Sequence, residues 1–85
     1  MMSDIIDELK KVTDLLYEEK NSEAYSELAR VIPKMSQAIG DVEDEGVKSN
    51  LVESLKKALM AMENYDVLML ADTIQYELLE ILAQL

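Results

Sequence analysis

Asp41, Glu43, Glu45 and Gly46 stand at the spacing of positions 1, 3, 5 and 6 of an EF-hand calcium loop. Carboxylates two residues apart can converge on a hard cation, and the glycine permits the sharp turn between them. The match then stops. Position 8 should be apolar and is Lys48. Position 12 should be a bidentate Glu and is Val52, with Glu53 one place late. Without the closing ligand the acids read as a solvated loop, and no metal site is assigned. Two pairings of titratable side chains are the other chemical candidates: the Asp72 carboxylate with the Tyr76 phenol at i,i+4, and the carboxylates of Glu77 and Glu80 at i,i+3. General acid–base work would need them inside a pocket that shifts their pKa values. The spacing shows only shared helix faces, so exposed carboxylates are the expectation and no catalytic residue is assigned.

The residue types narrow the chemistry further. There is no Cys and no His in 85 residues. That removes thiolate chemistry, the usual general base and the commonest metal ligand. No glycine-rich phosphate loop or nucleophile elbow occurs. The expectation is a chain that is not an enzyme and carries no cofactor.

Net charge is −10, which repels nucleic acid and anionic membranes. The charge is uneven. Residues 1–39 carry eight acids and five bases, and residues 40–85 carry ten acids and three lysines. Solubility is the plain reading; a basic partner docking on the second half is the sharper one. No apolar run approaches the length of a membrane span. Met1 to Asp7 lacks the basic-then-apolar order of a signal peptide. The expected location is the cytoplasm.

Hydrophobic residues make up 49% of the chain, with no Phe or Trp. The core must therefore be aliphatic, helped by Met and four Tyr. Helix 1 is expected from about Asp4 to Glu19, capped by Ser3 or Asp4. Ile5, Leu9, Val12 and Leu16 repeat at steps of four, three and four, and Asp7 pairs with Lys11 along the helix. Asn21-Ser22 reads as the first turn, with Ser22 as N-cap. Helix 2 follows from about Glu23 to Ile39. Pro33 interrupts it, but the apolar phase of Leu28, Ile32, Met35 and Ile39 is kept, so the helix should bend and continue. Gly40 is the natural left-handed C′ residue.

Residues 40–49 read as a long crossover loop. Helix 3 is expected over 50–63 with Leu51/Val52, Leu55, Ala58/Leu59 and Met62 inward. A start near Val42, with Gly46 inside the helix, is the alternative. Asp66 caps helix 4, from Val67 to about Ala83. Its stripe is Val67, Ala71, Ile74, Leu78 and Ile81/Leu82, leaving Leu68, Met69, Leu70 and Leu79 off it.

The chain also shows a loose duplication. Leu9-Lys10-Lys11 and Leu55-Lys56-Lys57 each open an amphipathic stretch that leads to a turn, and Leu28-Ala29 and Leu70-Ala71 follow those turns. One domain over 1–85 follows: an all-α, antiparallel four-helix bundle of two helical hairpins, 3–39 and 50–85.

Met60, Met62 and Met69 gather around the second turn with Tyr65. Val67-Leu68-Met69-Leu70-Ala71 is apolar over more than one helical turn, and one core cannot bury all five. A protein-contact surface is therefore expected at Met62, Tyr65, Leu68 and Met69. Core filling within one chain is the plainer alternative.

Residues 58–79, through Glu63-Asn64, the turn to Asp66, Leu70-Ala71-Asp72 and Tyr76-Glu77-Leu78, resemble the last hairpin of small, uncharacterised acidic helical-bundle proteins of Gram-positive bacteria. The resemblance covers about a quarter of the chain and implies a helical bundle. It carries over no catalytic residue. The functional expectation is a protein–protein interaction module, an adaptor or a chaperone-like binder of an amphipathic segment. The alternative is a structural homo-oligomer, such as a homodimer, with no external ligand.

Overall fold

Four amphipathic repeats become four helical rods in a computed structural model that describes residues 2–85. Helix α1 is Met2–Tyr17, α2 is Asn21–Gly40 and α3 is Glu45–Glu63. The fourth rod is α4 (Val67–Thr73), a π-helical turn (Ile74–Leu78) and α5 (Leu79–Ala83). Its joins keep helical dihedrals (φ −65°, ψ −49° at Ile74; φ −64°, ψ −37° at Leu79), so the three pieces form one rod. Helix α1 packs along α2, α3 packs along α4 and the π turn, and α1 also meets every part of the fourth rod. The result is an all-α bundle with extents of 36 × 23 × 19 Å.

The inward stripes follow the sequence period. Ile5, Leu9, Val12 and Leu16 of α1 are all buried, as are Ala24, Leu28, Val31, Met35 and Ile39 of α2. Pro33 lies on the solvent face, and α2 runs through it without a break. There the carbonyl that loses its helical partner can turn to water.

The π turn has a cause legible in the spacing. Leu70, Ile74, Leu78 and Leu82 are each almost wholly buried, yet they stand four residues apart throughout. On a 3.6-residue helix each such step drifts about 40°, so three would swing Leu82 about 120° off the core. One extra residue in the turn absorbs that drift, and the Leu79 N–H donates five residues back, to the Ile74 carbonyl.

The duplication is real at the two turns, but in a different register from the Leu-Ala match. Among the described residues Glu19 (φ 61°) and Tyr65 (φ 55°) are the two non-glycine residues with positive φ. In both turns the next residue's N–H donates back five residues: Lys20 to the Leu15 carbonyl and Asp66 to the Ala61 carbonyl, each at 2.8 Å. These are paired Schellman closures. They are 46 residues apart, the spacing of Leu9-Lys10-Lys11 to Leu55-Lys56-Lys57. In that register Leu28 corresponds to Ile74, not to Leu70. Beyond Ile74 the buried positions Leu78 and Leu82 fall one residue later than Val31 and Met35 in that register, and the π turn absorbs the extra residue.

Several expected boundaries move. The first turn is residues 18–20, not Asn21-Ser22, because the Schellman closure at Glu19 ends α1 early; Lys20 is the N-cap and no side chain caps α2. Gly40 ends α2 without a left-handed φ. The long crossover over 40–49 shrinks to residues 41–44. The Asp44 carboxylate accepts the Val47 N–H at 3.1 Å, which starts α3 at Glu45 with Gly46 inside it. Ser3 and Asp4 lie within α1. Lys11 pairs across the hairpin with buried Glu27, 3.4 Å away, not along its own helix with Asp7.

Four core assignments change: Leu55, Met62 and Val67, expected inward, are half-buried, and Leu70, expected off the stripe, is buried. Leu55 is half-buried, because the inward stripe of α3 is Leu51, Ser54, Ala58 and Ala61. The small Ser54, Ala58 and Ala61 on that stripe suit the close packing of α3 along the fourth rod, in which Leu70, placed off the stripe by its sequence neighbours, is fully buried.

Candidate interaction surface

The two Schellman turns sit at one end of the bundle. Residues 41–44 share a hollow with Met2 and Leu85, at the other end. At the turn end the rings of Tyr25 and Tyr65 meet at 6.2 Å between centroids, tilted by 36°. Asp66 accepts the Met69 N–H at 3.0 Å and so fixes the first turn of α4. With Leu70 and Ala71 pointed into the core, the 100° step per residue sends Leu68 and Met69 outward. Leu68 is 70% exposed and Tyr65 78%. Met69, Met60 on the last turn of α3 and Tyr17 on the last turn of α1 are exposed beside the same turns, while Met62 is half-buried. Three of the four expected contact residues, Tyr65, Leu68 and Met69, are thus exposed, and the fourth, Met62, is packed against the core.

A hollow of about 390 Å³ opens next to them, lined by Leu16, Tyr17, Glu19, Asn21, Val67, Leu68 and Ala71. It lies where the end of α1 faces the start of α4. Tyr17 frames one side, its hydroxyl donating to the Gln75 side-chain oxygen in the π turn. The Asn21 side-chain oxygen and the Tyr25 hydroxyl are buried and have no hydrogen-bond partner among the described residues. Buried polar atoms are normally satisfied, so this end carries unmet hydrogen-bonding capacity.

The other chemical candidates resolve into structure. Asp44, in the acidic loop, is occupied as a helix cap. Among the described residues no three acidic side chains gather as a metal site. Glu77 and Glu80 border one shallow hollow. Glu77, in the π turn, accepts from Lys57 Nζ at 2.6 Å and from the buried Ser54 hydroxyl at 3.1 Å. The Lys57 ammonium holds the Glu77 carboxyl below its usual range, partial burial opposes this, and Ser54 adds to the lowering. Glu8 accepts from Lys34 at 2.7 Å between α1 and α2, and this bond raises the Lys34 ammonium above its usual range. These pairs join neighbouring helices.

The hollow between α1 and α4, and the share of Tyr17 in it, were not foreseen. Their sequence signal was the 46-residue repeat, which places Tyr17 and Glu63 at equivalent corners next to one end. No helix among the described residues is long and apolar enough to cross a membrane. The chain matches no protein-family model, no curated protein and no solved structure.

Proposed function

We propose that this protein is a non-enzymatic protein-binding module, an adaptor or chaperone-like binder of an amphipathic segment, working in the cytoplasm through the turn end of its bundle. The carrying observation is the exposed apolar group of Tyr65, Leu68 and Met69, with Met60 and Tyr17 beside it. Chain stability accounts for only part of it, through the ring contact of Tyr65 with Tyr25. A left-handed backbone at a non-glycine residue costs roughly 1–2 kcal/mol, yet Tyr65 pays that cost with most of its ring in solvent. Contiguous exposed apolar residues of this kind mark contact sites on soluble proteins. Residues 58–79, which carry the resemblance to Gram-positive helical-bundle proteins, contain this turn.

A concentration series by light scattering, with Leu68→Glu beside the wild type, tests the reading. The expected result is a monomer in both cases, with a helical amphipathic peptide perturbing the amide resonances of Tyr65, Leu68 and Met69 in the wild type alone. A stable dimer that Leu68→Glu dissolves would instead favour the homo-oligomer.

A further inference from the structure

We infer that the occupant of this surface is a basic amphipathic helix, which seats one apolar side chain in the hollow between α1 and α4 and sets its lysines and arginines against an acidic rim. The inference rests on the binding-module reading and adds the partner's chemistry.

Charge selects the partner. Residues 17–25 and 60–72, which build this end, carry Glu18, Glu19, Glu23, Glu63, Asp66 and Asp72 and one base, Lys20; Glu19 lines the hollow itself, and Glu23 borders a separate hollow with Lys11 and Arg30. Lys20 already stands 3.4 Å from Glu18. All six acids are exposed, and Asp72 sits one helical turn from Leu68, at i,i+4. A two-fold contact between copies would bring the same acidic rim against itself, on bodies of −10 each. An uncharged partner would desolvate the rim carboxylates without pairing them. A basic partner pairs them, and its charge speeds the encounter.

Hydrogen-bonding capacity points the same way. The exposed rim carboxylates are acceptors. Lys and Arg side chains are donors only. Shape selects a helix: among the described residues there is no strand, so an added strand would find no edge to pair with. What the fold offers is a groove between rods, bordered by Leu68 and Val67 of α4 and by Leu16 and Tyr17 of α1.

The test uses the full chain and three synthetic helical peptides with one shared leucine face and Lys, Gln or Glu on the polar face, followed by fluorescence anisotropy. The Lys peptide is expected to bind at least about tenfold tighter than the Gln peptide and to weaken steeply with added salt. Leu68→Glu should weaken it by about tenfold or more, with Met69→Gln as a second variant should Leu68→Glu fail to fold. Glu19→Gln with Glu63→Gln and Asp72→Asn should flatten the salt dependence. Asp41→Asn with Glu43→Gln and Glu45→Gln, at the opposite end, should leave affinity unchanged.

Equal binding of the Lys and Gln peptides would overturn the basic partner and leave the module reading standing. Equal weakening by the distal and rim substitutions would reduce the effect to general charge attraction and overturn the site. Failure of all three peptides to bind a monomeric wild type would overturn both readings. Self-association through Leu68 would give the surface to a second copy and overturn the inference.

Discussion

Glu19 and Tyr65 hold the same left-handed backbone, φ 61° and 55°, at equivalent corners of the two hairpins. Each is followed by an N–H that donates five residues back at 2.8 Å. Glycine is the residue this position favours. Glu19 makes no side-chain hydrogen bond or ion pair among those observed, so Glu19→Gly should raise stability by up to about 1 kcal/mol. Tyr65→Gly should gain less or nothing, because it also removes the ring that meets Tyr25, a contact of roughly 0.5–1.5 kcal/mol. Urea unfolding of both variants checks this. A destabilised Glu19→Gly would show that the corner is not strained.

The π turn yields a deletion test. Removing exposed Tyr76 leaves Leu70, Ile74, Leu78 and Leu82 at steps of four, three and four, the spacing that α1 and α2 already use. The variant should fold as a regular α-helix with stability near the wild type. Removing Asp14 from α1, equally exposed, should instead rotate Leu16 about 100° out of the core and cost roughly 2–5 kcal/mol. Equal damage from both deletions would mean that the extra residue does not merely correct the phase.

Helix number, the α1 and α2 stripes and the passage through Pro33 were legible because each rests on a period repeated over many residues. Boundaries were not, since they depend on bonds that local composition does not announce. Ser22 looked like a cap, but the Schellman closure at Glu19 had already ended α1. Residues 40–49 looked like loop because of their acids and Gly46, but the Asp44 carboxylate starts α3 there. Leu55 and Leu70 were misplaced for a related reason. The inward face of α3 is set by small Ser54, Ala58 and Ala61, which a search for large apolar residues passes over. Of the contact surface, the excess of apolar residues at 67–71 was visible. Its second wall, Tyr17 and Leu16, needed the fold.

That difference fixes the order of core substitutions. Leu9, Leu16, Leu28, Ile74 and Leu78 are buried, and truncating any one to Ala should cost roughly 2–5 kcal/mol. Leu55→Ala should cost clearly less, because water already reaches that side chain. Thermal and urea unfolding of the series decide it. A Leu55 variant as damaged as Leu28→Ala would place Leu55 back in the core.

Glu77 links α3 to the π turn through Lys57 and Ser54, and the ammonium of Lys57 is the main cause that its carboxyl titrates below the ordinary 4.5. A carboxyl lowered in the folded state binds fewer protons there than in the unfolded chain. Its contribution is therefore complete above about pH 4.5 and is lost as pH falls through the lower, folded value. Falling pH also relieves the repulsion of a chain at −10, so total stability is a poor readout. The difference between the wild type and Glu77→Gln is the useful quantity, since Gln keeps an acceptor for Ser54 but not the charge for Lys57. That difference should be steady from pH 7 to about 5 and shrink toward pH 3. In a Lys57→Met background that loss toward low pH should be much reduced, with burial and Ser54 left as the remaining, opposed causes. Urea unfolding at several pH values measures it, and a gap between wild type and Glu77→Gln that stays constant down to pH 3 would show that the ion pair does not hold the π turn to α3.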